Sequence, residues 1–207
     1  MARIPAAERR SALVQAALRV IATHGVAAAT TRAIVAEAGM SLASFHYAFK
    51  SRDELISELI TFVIDHEILA ATQGLATGAD LRTTIRDGLH AYLRLVEQDP
   101  LRELAMFELV QYAMRTPELG AAARQQYDAY YRAAAGLLVH VAEQNRITWR
   151  RPIDEMARIL ITLSDGLTLG WLVDRDSAQA ESVIEFATEA LAAMAVPHPA
   201  TTLEEAR

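Results

Sequence analysis

The sequence contains no cysteine and only one lysine in 207 residues. The absence of cysteine excludes disulfides, thiolate nucleophiles and zinc or iron–sulfur sites built on cysteine. It also agrees with a reducing compartment, so we predict a cytoplasmic protein. No uninterrupted apolar run approaches the ~18 residues of a membrane-spanning helix, and the charged opening segment MARIPAAERR has no signal-peptide core. We therefore expect no membrane association.

Catalytic and cofactor-binding motifs are missing as well. None of the six histidines belongs to an H-E-x-x-H motif, and none follows a glutamate by three positions, as a di-iron helical bundle requires. The chain has no G-x-S-x-G, P-loop or dinucleotide-binding fingerprint. We therefore predict no enzyme, no cofactor and no metal site. A helical enzyme is the alternative, and it would need a paired acid and base.

Charge is distributed unevenly along the chain. The formal net charge is −6, from 20 basic and 26 acidic residues. Residues 1–52 hold seven basic and two acidic side chains, or +5, which leaves 13 basic and 24 acidic side chains, or −11, in the rest. A basic N-terminal segment on an acidic body predicts that only this segment binds a polyanion such as nucleic acid.

Apolar residues recur at helical spacing over most of the chain, and we find no convincing alternating strand. An amphipathic first helix is predicted to end at Gly25, because glycine readily adopts the left-handed cap. Thr30 or Thr31 can cap a short second helix, which Gly39 ends. Ser41 can cap a short third helix. The N-terminal segment is therefore predicted to contain three helices.

More helices are predicted beyond this segment. Ser51 and Glu54 form a capping box, which predicts a fourth helix over 51–72. The two glycines of segment 74–80 indicate a linker, and the tail from Val196 is expected to fray. Proline and polar breaks delimit the other predicted helices: 81–98, 100–115, 117–145, 153–174 and 178–195. The predicted fold class is all-α, with about nine helices.

Two short helices joined by a tight turn, after a longer supporting helix, form a helix-turn-helix. A helix of this size fits the major groove of DNA, where its first turns meet base edges. The residues that can form the core of this segment are Ile34, Val35, Ala38, Met40, Phe45 and Phe49. The remaining residues of the third helix are candidates for its outward surface: Leu42, Ala43, Ser44, His46 and Tyr47.

The segment TTRAIVAEAGMSLASFHYAFKSRDELI, residues 30–56, resembles the DNA-binding signature of the tetracycline-repressor (TetR) family of bacterial transcription regulators. The resemblance extends over about residues 8–64. It implies a helix-turn-helix domain over 1–52 and a helical ligand-binding and dimerisation domain over 53–207, with the fourth helix connecting them. It also implies a homodimeric repressor that an unidentified small molecule releases from a palindromic or pseudo-palindromic operator. A transcriptional activator, or a DNA-binding protein without a sensor, is the alternative.

The resemblance assigns DNA contacts to individual positions. Thr31 and Arg32 match positions that contact phosphate and base. Tyr47 and Lys50 match groove and backbone contacts, and Arg52 matches a phosphate contact. Together with the outward residues of the third helix, the candidate DNA-binding residues are Thr31, Arg32, Ser41, Leu42, Ala43, Ser44, His46, Tyr47, Lys50 and Arg52.

Polar residues within apolar helical stripes mark a candidate ligand pocket in the body. Glu108 shares a helical face with Leu109 and Tyr112, and Asp165 lies among apolar neighbours. A buried carboxylate is costly unless it is paired, so each predicts either a structural partner or a ligand contact. Aromatic stripes can equally be plain core. The candidate ligand-binding residues are His90, Met106, Phe107, Glu108, Tyr112, Tyr127, Tyr131, Asp165 and Trp171.

Two apolar stripes that contain small residues lie in the predicted helices 153–174 and 178–195. Small residues let helices pack closely. These stripes can be buried within one subunit or between two subunits, and the family resemblance favours a two-fold four-helix interface. The candidate dimer residues are Ile159, Leu163, Gly166, Leu167, Gly170, Val183, Ala187, Ala190, Leu191 and Met194.

Overall fold

The computed structural model describes residues 5–72 and 80–198, with the backbone alone described for 63–72. The helices in these ranges are α1 Ala6–His24, α2 Thr31–Glu37, α3 Leu42–Ala48, α4 Arg52–Thr72, α5 Leu81–Gln98, α6 Pro100–Arg115, α7 Gly120–Asn145, α8 Ile153–Asp174 and α9 Ser177–Ala193. A 3-10 turn, Val26–Ala28, connects α1 to α2. The all-α prediction is confirmed. The predicted linker, apart from Asp80, and the tail beyond residue 198 lie outside the described residues.

A small sheet near the end of the chain contradicts the expectation that there are no strands. Strands β1 Ile147–Trp149 and β2 Ala195–Pro197 pair antiparallel, with Trp149 opposite Ala195. The indole N–H of Trp149 donates to the Leu138 carbonyl at 3.0 Å, which holds β1 on α7. The prediction of a frayed tail from Val196 was therefore wrong for the residues of β2. Three residues are too few to show alternation, and each strand depends on a partner that is distant in sequence.

The chain divides into two compact units. Unit 1 comprises residues 1–70 and 94–130, and unit 2 comprises 71–93 and 131–207. The core of unit 1 is formed by apolar side chains of α1, α2, α3, the start of α4, α6 and the start of α7. The main core residues of unit 2 are Ala134, Leu138, Met156, Ala157 and Leu191. The functional division near residue 52 stays a prediction.

Hydrogen bonds at the helix ends explain where α2 and α3 begin. The Thr30 hydroxyl accepts from the Ala33 amide at 3.1 Å, and the Ser41 hydroxyl accepts from the Ser44 amide at 3.2 Å. These bonds satisfy amides that have no partner inside the helix. Gly39, between the two helices, has a φ of 64°, which a residue with a side chain rarely adopts. The predicted capping residues and the glycine turn are confirmed.

A reciprocal pair of bonds starts α4. The Ser51 hydroxyl accepts from the Glu54 amide at 3.1 Å, and the Glu54 carboxylate accepts from the Lys50 amide at 2.7 Å. The bond from the Lys50 amide is the largest cause that lowers the pKa of Glu54. The predicted capping box is therefore present, with the carboxylate reaching one residue further back than the cap itself.

The predicted core of the N-terminal segment is confirmed. Ile34, Val35, Phe45 and Phe49 are buried, and the rings of Phe45 and Phe49 lie 5.7 Å apart. Partly buried methionine and alanine side chains after α2 pack against them. Burying two adjacent aromatic rings fixes the orientation of α3, because each contributes a large apolar area. The opposite side of α3 is thereby turned outward.

Candidate nucleic-acid interface

The outward side of α3 carries a mixed polar and apolar surface. Tyr47 is 83% exposed and Leu42 is 43% exposed. Ala43 and His46 are also exposed, and Ser44 is half-buried. A short helix with these side chains turned outward, and with its own core residues behind it, can enter a DNA groove.

Two exposed cations lie in the segments that precede and follow α3. Arg32 on α2 and Lys50 after α3 are both exposed, and neither side chain makes a hydrogen bond or close ion pair with any part of the chain that the structure describes. Thr31, beside Arg32, is half-buried. Apart from the attraction between Lys50 and the Glu54 carboxylate, their charges are available to phosphates.

Other basic residues of the N-terminal segment are used internally. Arg10 on α1 binds Glu54 and Glu58 of α4 and donates to the Ala48 carbonyl, and its guanidinium lies 4.2 Å from the ring centroid of Phe49. The hydrogen bond to Glu58 is the largest cause that raises the pKa of Arg10. The positive charge of residues 1–52 therefore includes cations that hold the helices together.

Arg52, the predicted phosphate contact, is held inside the protein. Its Nε donates to the Ala29 carbonyl at 2.6 Å, and its Nη2 donates to the Val26 carbonyl at 2.5 Å. Its Nη1 donates to the Tyr112 hydroxyl at 2.7 Å, and the side chain is 23% exposed. Each guanidinium nitrogen therefore donates to an internal oxygen, with two of the five N–H groups left over, and the predicted phosphate contact stays a prediction.

The candidate ligand residues are divided between the two units. Unit 1 contains Met106, Phe107, Glu108, Tyr112 and Tyr127. Met106 is buried, whereas Glu108 is half-buried and lies against Gly25. The premise that Glu108 is a buried carboxylate was therefore wrong, because helical spacing identifies a face of the helix without showing what covers it.

The candidates in unit 2 already have neighbours. His90 lies 3.3 Å from a Glu181 carboxylate oxygen, and the Tyr131 ring faces the Arg158 guanidinium at 4.3 Å. Trp171 is buried beneath the Arg175 guanidinium. The remaining candidate, at position 165, is half-buried and also has an interaction partner. No group of three or more His, Asp or Glu side chains in the described ranges could hold a metal ion.

No sequence pattern singled out the buried polar residues, which in the described ranges include Thr84, Gln126, Thr168 and Thr188. Gln126 on α7 is 2% exposed, and its amide nitrogen donates to the Tyr130 hydroxyl at 2.9 Å. Its side-chain carbonyl oxygen has no hydrogen-bond partner among the residues that the structure describes. A buried acceptor without a partner is uncommon and costs free energy. No motif singles out this glutamine, because Gln125 beside it is exposed and looks identical in sequence.

An exposed apolar stripe runs along α8 and α9 in unit 2. Leu169, Val173 and Phe186 are 49%, 79% and 68% exposed. The dimer candidates that are exposed with them are Ile159, Gly166, Gly170 and Val183, whereas Leu163, Ala190 and Met194 are half-buried and Leu167, Ala187 and Leu191 are buried within the chain. Three of the ten candidates therefore belong to the chain's own core.

The length and composition of α8 also meet a simple criterion for a membrane span. It has 22 residues and a largely apolar stretch, most of which is not buried. Uninterrupted apolar runs do not reveal this helix, because polar residues such as Thr162 and Ser164 divide its apolar stretch. A single helix of this kind is weak evidence for a span, since a helix that packs against other helices in water has the same composition.

Comparisons with known proteins show the family of this chain. Residues 13–59 match the tetR family of bacterial regulatory proteins, and residues 81–196 match the C-terminal domain of BetI-type transcriptional repressors. The chain is 31% identical to the nicotine-responsive transcriptional repressor HdnoR of Paenarthrobacter nicotinovorans, over 83% of this chain and 88% of that one. It is 26% identical to the transcriptional regulator PksA of Bacillus subtilis, over 81% of this chain and 80% of that one.

A solved structure shows the same fold. A TetR transcription regulator from Haloarcula marismortui superposes with a TM-score of 0.75 at 20% identity, over 92% of this chain and 100% of that one. The match to the BetI-type repressor domain and the similarity to HdnoR show a ligand-responsive, DNA-binding transcriptional regulator. The chain belongs to the TetR family of bacterial regulatory proteins. Members of this family bind operator DNA and small-molecule effectors, typically as dimers.

Proposed function

We propose that this protein is a cytoplasmic homodimeric repressor that binds a palindromic or pseudo-palindromic operator and is released from it by a small-molecule effector. The observation that carries the DNA-binding part is the exposed face of α3, together with two exposed cations, Arg32 and Lys50. Two such faces in a dimer would enter successive major grooves about 34–36 Å apart.

Within this interface, each cation has its own role. Lys50 contacts phosphate, because it is an exposed point charge at the end of α3. Arg32 contacts a base edge, since a guanidinium can donate two parallel hydrogen bonds to guanine. The outward side chains of α3, Tyr47 foremost, contact the groove, and Arg52 is left out of the interface.

The first prediction separates phosphate contacts from base contacts. Lys50→Gln should weaken binding to every DNA sequence and reduce the slope of log K against log salt by about 0.9 for each phosphate that the lysine no longer neutralises. Arg32→Ala should instead relax discrimination at one base pair in each half-site, by about 1–3 kcal/mol. Fluorescence anisotropy at several salt concentrations, on an operator selected from random DNA, measures both effects.

Arg132→Gln is the matched control, because Arg132 is an exposed arginine of α7 that the proposal places outside the interface. A salt slope in Lys50→Gln that equals that of Arg132→Gln would remove the phosphate contact. If the selection enriches no sequence at all, the operator-binding proposal itself is rejected.

We propose further that the effector is an organic amine. The relative that is 31% identical to this chain is nicotine-responsive, and nicotine combines a basic amine with an aromatic ring. The body of this chain has a net charge of −11, which favours cations. The free carbonyl oxygen of Gln126 can accept a hydrogen bond from the N–H of a protonated amine. The rings of Tyr127 and Tyr130, 5.8 Å apart on the same turn of α7, provide faces that attract a cation.

The second prediction tests this site. Nicotine, used as the probe, should raise the melting temperature of the wild type and weaken operator binding, with a coupling of about 1–3 kcal/mol. Gln126→Leu should weaken nicotine binding roughly tenfold, because it removes the acceptor at nearly constant volume. It also removes the hydrogen bond to the Tyr130 hydroxyl, so the stability of the free variant is measured alongside. Calorimetry and thermal denaturation measure the two quantities.

Gln125→Leu is the control for this substitution, since Gln125 is the neighbouring residue, has the same side chain and is exposed. It should bind nicotine like the wild type. Equal loss in both variants would exclude Gln126 as the contact. No melting shift in the wild type with nicotine or with a panel of other organic amines would reject the amine class while leaving the DNA-binding proposal intact.

A further inference from the structure

We propose that Arg52 and Tyr112 form a latch that fixes the helix-turn-helix to α6, so that Arg52 positions the DNA-binding surface and does not contact DNA. The inference rests on the proposed function, because it concerns how the operator-binding surface is held. All the residues involved lie in unit 1.

The guanidinium of Arg52 joins two separate parts of unit 1. The two carbonyls that accept from it, those of Val26 and Ala29, bracket the 3-10 turn that leads into α2. Its third acceptor, the Tyr112 hydroxyl, lies on α6. One side chain at the start of α4 therefore ties the entrance of the helix-turn-helix to a helix of the body.

Tyr112 is well placed to hold its end of the latch. Its hydroxyl accepts from Arg52 at 2.7 Å and donates to an Asp53 carboxylate oxygen at 3.4 Å. The Arg52 guanidinium carbon lies 5.0 Å from the centre of the tyrosine ring, in cation–π contact. Hydrogen bonds from a charged donor are stronger than neutral ones, and partial burial limits their screening by solvent.

A second contact between α6 and the same loop lies one helical turn earlier. Glu108 is four positions before Tyr112, so both side chains project from one face of α6. A Cβ added to Gly25 would lie 3.1 Å from a Glu108 carboxylate oxygen, and Gly25 has a φ of 81°. Because α6 meets the loop so closely, a displacement of α6 would also move the start of α2.

The shape of the arginine side chain matters here. The planar guanidinium offers five N–H groups in a fixed fork, and in Arg52 this fork reaches three oxygens on two elements. A lysine ammonium is a point charge that cannot reproduce this fork. It would, however, keep a phosphate contact. Lysine at position 52 therefore separates the latch from a DNA contact.

The experiment compares Arg52→Lys, Arg52→Gln and Tyr112→Phe with the wild type by hydrogen–deuterium exchange. The Ala28 and Ala29 amides, which donate to carbonyls within the turn, report on the loop. We expect all three variants to exchange roughly fivefold faster there, which is the effect of losing about one hydrogen bond. Tyr112→Phe retains the ring and the fold, so it keeps the comparison valid if an arginine variant is unstable.

Operator binding supplies the second readout. Arg52→Lys and Arg52→Gln should keep the salt slope of the wild type, in contrast to Lys50→Gln. All three latch variants should also discriminate less between operators whose half-site spacings differ by one or two base pairs. A decrease in stability alone would not change this preference, since it alters how much protein is folded and not how the two helix-turn-helix segments of a dimer are oriented.

Two results would overturn the latch. The first is that the loop amides of Tyr112→Phe exchange at the same rate as those of the wild type. The second is a lower salt slope in Arg52→Gln that Arg52→Lys restores, because this pattern belongs to a phosphate contact. Failure of the proposed function has a different signature: the wild type would not bind DNA, and the exchange comparison would still decide whether the latch exists.

Discussion

Phe186→Glu is expected to produce a folded monomer whose affinity for the operator is about 10²–10⁴-fold lower than that of the wild type. Phe186 is 68% exposed on α9, and Val173 on α8 is 79% exposed. Such large apolar side chains on two packed helices indicate a surface that a partner covers. A carboxylate buried there without a partner costs several kcal/mol, and two-fold symmetry applies the cost twice.

The decrease in affinity follows from the geometry of the operator. A dimer presents two copies of α3, and the second binds at the high effective concentration that the first creates. A monomer keeps the contacts of one half-site alone. Sedimentation equilibrium and operator titration measure both consequences, and circular dichroism confirms that the monomer is folded.

Met114→Glu is the matched control for this substitution. Met114 on α6 is 66% exposed, close to the exposure of Phe186, but it belongs to unit 1 and to a different helix. It should remain dimeric and bind the operator normally. If Phe186→Glu dimerises like the wild type, the two-fold interface does not use the stripe on α8 and α9.

Phe45→Ala and Tyr47→Ala, two positions apart on α3, should have opposite effects. Phe45 is 1% exposed and Tyr47 is 83% exposed. Removing the buried ring should destabilise the fold by about 3–5 kcal/mol, which is a large part of the ~5–15 kcal/mol of a typical domain. Removing the exposed ring should change stability by less than about 0.5 kcal/mol and weaken operator binding.

Thermal denaturation and operator titration distinguish the two variants. For a chain of this size, Phe45→Ala should lower the melting temperature by roughly 6–20 °C, at about 2–4 °C per kcal/mol. DNA binding should disappear at temperatures where the N-terminal segment is unfolded. Tyr47→Ala should have the same melting temperature as the wild type. A Tyr47→Ala protein that binds the operator at full affinity would exclude Tyr47 from the interface, and a stable Phe45→Ala protein would contradict the role of that ring in the core.

Local signals in the sequence were sufficient to predict the helices and the core of the N-terminal segment. The caps at Thr30, Ser41 and Ser51 act on amides three residues away, so their chemistry is complete within a few residues. Phe45 and Phe49 alternate with the outward side chains at helical spacing, which identified them as core residues. The family signature also lies within one continuous segment, so it could be identified without knowledge of any contact.

The tertiary structure decided which side chains are available for function. Arg32 and Arg52 have the same chemistry, yet one is exposed and the other donates to three oxygens from distant parts of unit 1. Gln125 is exposed and Gln126 is buried, although they are neighbours with identical side chains. One face of α8 is exposed although it is apolar. Periodicity shows which side of a helix is apolar, but what covers that side depends on segments far away in the chain, and these meet only when it folds.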